Sequence, residues 1–175
     1  TTCITINSNL IKKVYFPREI LPISVVTSGL VNFLISCVII LIFVLLGGCG
    51  ISWHLVFLPL IALVQYIISL AIIFLLSAFN VYVKDVEYMV GFIINLLFYA
   101  TPVLYSTEMF QGSWMIWLFR LNPMAHLINA YRDIFYVHRI PQIQNLLLLL
   151  IFGIVILVLC YKVFKKLEKR FAEEI

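Results

Sequence analysis

The chain has 175 residues, of which 64% are hydrophobic and 11% charged, with a net charge of +4. A soluble globular chain is about 45–50% apolar and about 25% charged. A domain of this size cannot hide such an excess in its own core, which excludes a soluble or a disordered protein and points to lipid as solvent.

The opening TTCITINSN is no signal peptide, because it lacks a basic stretch followed by an apolar one. The first residue is Thr rather than Met, and the chain is expected to be a piece of a longer one. Residues 1–22 form the first region, with the segment NLIKKVYFPREILP at its heart. Ser8 or Asn9 can cap a short helix whose apolar side carries Leu10, Ile11 and Val14 and whose polar side carries Lys12 and Lys13. Pro17 disfavours helix at Phe16 and forces a bend. A stiff amphipathic element at the inner membrane surface follows. It serves either as an anchor among lipid head groups or as a docking surface for a cytoplasmic partner.

Residues 23–175 read as a membrane domain with four spans, at about 23–46, 53–79, 88–105 and 143–163. Backbone polar groups inside lipid must be satisfied within their own segment, so the spans are helices. A β-barrel would need alternating strands of about ten residues, which the sequence lacks. Gly47-Gly48-Cys49-Gly50 stops the first span, and Pro102 ends or kinks the third. Residues 107–142 are too apolar for an ordinary loop, yet their two apolar pieces, Trp114–Phe119 and Pro123–Val137, are too short to cross. Asn122-Pro123 reads as an N-cap followed by proline at the first helical position. Met124, Leu127, Ile128, Tyr131 and Phe135 then recur at helical spacing, with His126, Asn129, Arg132 and Asp133 off that stripe. Two short helices dipping into, or lying on, the outer face are expected, or else a plain aromatic belt. The tail 164–175 continues the last helix into the cytoplasm, with Glu168 placed for pairing along it.

Four spans put nine basic residues on one side, including Lys12, Lys13, Arg18, Lys84 and Lys165, against Arg120, Arg132 and Arg139 on the other. The excess of positive charge faces the cytoplasm, so both ends of this chain are expected there.

Catalytic chemistry is not legible. Cys3, Cys37, Cys49 and Cys160 show no paired spacing, and His54, His126 and His138 are dispersed. Asp85 and Glu87 stand beside Lys84 and read as a salt-bridged loop. No phosphate-binding loop occurs, so energy for any pumping must come from elsewhere.

Several stretches together resemble the permease subunit of ABC-2 type transporters, in the branch that exports O-antigen, capsule or teichoic acid. These are NLIKKVYFPREILP, NVYVKDVEYMV, FYATPVLYS and LNPMAHLINAYRDIFY, in the family's order and spacing. The resemblance implies an all-α integral membrane fold of six spans, of which this chain holds the last four, in the bacterial cytoplasmic membrane. It implies that Leu10, Lys12, Lys13, Tyr15, Phe16, Pro17, Arg18 and Glu19 form a coupling helix on a separate ATP-binding subunit, with Lys84 and Asp85 in a smaller second contact. Phe98, Tyr99, Pro102 and Tyr105 would lie near the outer end of the path. Trp114, Trp117, Asn122, Pro123, Tyr131 and Arg132 would belong to the re-entrant helices that shape the exit. The implied assembly is a homodimer of permeases with two ATPases, moving a lipid-linked polysaccharide. ATP and magnesium are expected on the partner, and no cofactor, metal, enzymatic centre or nucleic acid on this chain. The alternatives are the same fold exporting a lipid, drug or peptide, a membrane scaffold that moves nothing, or a membrane-embedded acyltransferase built on His126, Asn129, Arg132 and Asp133.

Overall fold

The computed structural model describes residues 18–47, 53–83, 85–100 and 122–168. Helix α1 covers Ile20–Leu46, α2 Leu58–Tyr82, α3 Val86–Ala100, α4 Pro123–Arg132 and α5 Ile143–Glu168. A 3-10 turn, Trp53–Phe57, leads into α2, and a π-helical turn, Asp133–Val137, extends α4. Among the described residues there is no strand.

Three stretches are long and apolar enough to cross a membrane: Ile20–Leu46, Trp53–Tyr82 and Ile143–Glu168. The 27 residues of α1 reach about 40 Å at ~1.5 Å per residue, beyond the ~30 Å hydrocarbon core. It begins three residues earlier than the expected span and takes in Pro22. Proline costs little there, because first-turn amides have no intrahelical acceptor. The expected third span is described only as far as the 15 residues of α3, and its remainder, 101–105, lies outside the described residues. The first of the two short apolar pieces, Trp114–Phe119, lies outside them too.

The helices are apolar all round, so sequence periodicity does not reveal which side packs. The structure does. In α2 the buried stripe is Ile61, Val64, Ile68, Ala71, Phe74, Ala78 and Val81, which recurs every three or four residues. It packs along α5, where Leu146, Leu149, Gly153, Cys160 and Phe164 are buried. Gly153 admits the closest approach: a Cβ built on it would stand 3.2 Å from Ile67 Cγ2 and from Ile68 Cγ1. Two clusters result. The lower joins Phe74, Ala78 and Val81 to Cys160 and Phe164. The upper joins Ile61, Val64 and Ile68 to Leu127, Ala130 and Ile134 of α4 and its turn, and to Leu146 and Leu149. Helix α1 leans on α2 and buries only Pro22 and Cys37, and from Val86 to Phe98 α3 has no buried residue. Those apolar faces are what lipid, or another chain, covers in a membrane.

Two expectations for the outer segment meet the structure differently. Helix α4 starts where Asn122-Pro123 predicts, and the Asn122 side chain accepts a hydrogen bond from the Met124 amide at 3.0 Å. The buried stripe is shifted, however. Leu127 and Phe135 are buried as expected, but Met124 is exposed and Ile128 and Tyr131 are half-buried, whereas Ala125, Ala130 and Ile134 are buried. The small side chains Ala125 and Ala130 let α4 sit close to the bundle, and the π-turn beyond Arg132 changes the phase of the residues that follow.

Candidate functional site

Two regions concentrate polar contacts between distant parts of the chain. One lies where α1 begins and α5 ends. Glu19, the residue before α1, takes an ion pair from Lys165 and a hydrogen bond from the Tyr161 hydroxyl to its Oε2 at 2.9 Å. Arg18 Nη1 donates to the Glu168 carbonyl at 2.7 Å. Tyr82, the last residue of α2, donates its hydroxyl to the Leu167 carbonyl at 3.0 Å. Glu168 pairs with Lys165 at 3.4 Å, one turn along α5.

This clamp forms for local reasons. Helix α5 ends with carbonyls that have no partner inside the helix, and Arg18 and Tyr82 supply donors to two of them. The Tyr161 ring is held edge-on by Phe74 at 5.6 Å, which aims its hydroxyl at Glu19. The Lys165 hydrogen bond, helped by Tyr161 and opposed by partial burial, holds the Glu19 carboxyl below the usual carboxylate range. Arg18 and Glu19 were expected to face a cytoplasmic partner, and their side chains reach α5 of the same chain. Leu10, Lys12, Lys13, Tyr15, Phe16, Pro17 and Lys84 lie outside the described residues. Asp85 stands just before α3, where its carbonyl accepts from the Met89 amide at 3.1 Å.

The second region surrounds α4. The Tyr131 hydroxyl donates to Gln65 Oε1 of α2 at 2.7 Å, and its ring meets Phe33 of α1 edge-on at 5.3 Å. One aromatic side chain thus touches both long neighbours. On the opposite side His126, Asn129 and Asp133 face Gln142 and Asn145 across a small cavity of about 90 Å³. Asn145 Nδ2 bonds Gln142 Oε1 along its rim. Burial raises the Asp133 carboxyl above its usual range, against the pull of Arg139 and Arg132. Arg132 is half-buried at the end of α4, and Phe98 is exposed on α3, which also carries Tyr99. Pro102, Tyr105, Trp114 and Trp117 lie outside the described residues.

Sequence reasoning did not single out Tyr82, Tyr161, Lys165 or Gln65 as contact-forming, nor Gln142 and Asn145 as cavity walls. Among the described residues no group of three or more His, Cys, Asp or Glu side chains could hold a metal ion.

These features define a polytopic α-helical membrane protein whose two polar regions are joined through α2 and α5. The chain belongs to the ABC-2 type transporter family, whose model matches residues 1–136. It is 36% identical over 168 residues to the O-antigen export system permease protein RfbA of Myxococcus xanthus, covering 95% of this chain and 65% of that protein. Two proteins of the same name from Klebsiella pneumoniae are 33% and 32% identical, each across 95% of this chain and 64% of their own length. The chain therefore spans a little under two thirds of the curated relatives it matches.

Proposed function

We propose that this chain is the membrane-spanning permease portion of an ATP-driven exporter. Its cargo would be a cell-surface polysaccharide of the O-antigen kind, carried across the bacterial cytoplasmic membrane. The observation that carries this reading is the 36% identity, sustained over 95% of the chain, to a protein named an O-antigen export permease.

The permease works with a separate ABC ATP-binding subunit, which holds ATP and magnesium. Two permeases pair, and the polysaccharide passes between them. Leu10–Glu19 rests on the ATPase, and Lys84 and Asp85 add a smaller contact. When the ATPases close on ATP, the docking segments shift and tilt the spans as rigid bodies. Phe98, Tyr99, Pro102 and Tyr105 face the outer part of the path, and Trp114, Trp117, Asn122, Pro123, Tyr131 and Arg132 shape its exit. Aromatic rings suit sliding sugars, because they offer flat apolar faces without fixing hydroxyls tightly.

Deleting the gene tests this reading. Surface polysaccharide should disappear while lipid-linked chains accumulate inside, and the intact gene should restore export. A Phe16→Ala copy should insert normally yet fail to restore it. Unchanged surface polysaccharide after deletion would refute the assignment.

A further inference from the structure

We propose that Lys165 and Tyr161 are positioning residues for energy coupling: they fasten the end of the docking segment to α5, and α5 carries its movement to the outer helix α4. This inference rests on the permease reading above and names the route that force takes through it.

The docking segment runs directly into α1, so α1 is the obvious carrier. Its packing argues otherwise. Of its 27 residues only Pro22 and Cys37 are buried. Among the described residues, its ring contact with α4 is the edge-on pair Phe33–Tyr131. A helix so loosely held can tilt in lipid without dragging α4 along.

Helix α5 is held at both ends. At the bottom it takes Glu19 through Lys165 and Tyr161, Arg18 through the Glu168 carbonyl, and Tyr82 through the Leu167 carbonyl. At the top Leu146 and Leu149 share one buried cluster with Leu127, Ala130 and Ile134. The 26 residues between these ends form one unbroken helix without proline. Gly153 lies part way along, tight against Ile67 and Ile68, where α5 bears on α2. A stiff rod gripped at both ends and supported part way passes a displacement on. The same rod freed at the bottom does not. The clamp at Glu19 therefore decides whether a push on the docking segment reaches the exit.

A clamp serving stability alone would cost assembly when broken and leave the work done per ATP unchanged. The full-length permease with its ATPase, reconstituted in lipid vesicles, separates the two. The variants are Glu19→Lys, Lys165→Glu, the reversed pair carrying both, and Lys165→Arg. Each single reversal should lower export per ATP hydrolysed by about fivefold or more while hydrolysis continues, the scale of an ordinary coupling energy between sites. Lys165→Arg should stay within about twofold of wild type, and the reversed pair should recover a clear part of the loss, because opposite charges again face each other although the carboxylate now at position 165 lies beside Glu168. Rescue by the reversed pair also separates the clamp from docking, since changing Lys165 cannot repair a contact between Glu19 and the ATPase. Single reversals that keep wild-type export per ATP would overturn the inference, as would a reversed pair that stays as poor as its parents. If the wild-type complex shows no ATP-dependent export, the permease reading itself falls and takes the inference with it.

Discussion

Gly153 of α5 meets Ile68 of α2 so closely that a Cβ on the glycine would stand 3.2 Å from Ile68 Cγ1, with Ile67 Cγ2 at the same distance. Both neighbours are side-chain atoms, so a single methyl can be absorbed by small rotations. Alanine also gains about 1 kcal/mol of helix propensity over glycine. Gly153→Ala should therefore change thermal stability little. Gly153→Leu should lower it by about 1–3 kcal/mol, the usual cost of overpacking. Melting of the purified full-length protein in detergent reads both.

Tyr131 is tied to Gln65 by a 2.7 Å hydrogen bond and to Phe33 by its ring. Tyr131→Phe removes only the first and should cost about 0.5–1.5 kcal/mol, toward the low end for a bond within a membrane. Tyr131→Ala removes both and should cost more. Comparing the two against Gln65→Leu in a double-mutant cycle isolates the hydrogen bond.

Asn122 caps α4 through the Met124 amide. Asn122→Ala should destabilise the start of that helix by about 1 kcal/mol, whereas Asn122→Ser or Asn122→Asp should largely preserve it. Amide hydrogen exchange at residues 124–126 should speed up in the alanine variant only.

The Glu19 carboxyl is held below its usual range chiefly by Lys165. A carboxylate whose folded-state pKa is depressed adds stability above its unfolded pKa, and that stability is lost as pH falls through the folded value. Acidification to below the usual carboxylate range should loosen the clamp, and raising the pH from neutral should not. Glu19→Gln should flatten the acid limb of the stability profile. An acid limb identical to wild type would show that the pair contributes nothing.

The long helices were legible because lipid demands length and apolarity together, and both stand in the sequence. Asn122-Pro123 likewise announced the start of α4, since capping is a local matter between neighbouring residues. The packed sides were not legible. Lipid and protein neighbours both accept apolar side chains, so the shift from Met124 to Ala125 and Ala130 leaves no periodic mark. The clamp was hidden for another reason. Glu19 and Lys165 are distant in sequence, and charged residues beside a span read equally well as a solvated helix end. Gln142 and Asn145 became cavity walls only once α4 was placed against α5.

Which side of the membrane the first segment faces tests the account most directly. The measurement places Lys13→Cys in the full-length permease after replacing Cys3, Cys37, Cys49 and Cys160 with alanine, and applies a thiol reagent that cannot cross membranes. The account predicts labelling in inside-out vesicles and none in intact cells, with the reverse at Trp114→Cys. Labelling of position 13 in intact cells would contradict it, because a segment outside the cell cannot receive work from ATP hydrolysed within.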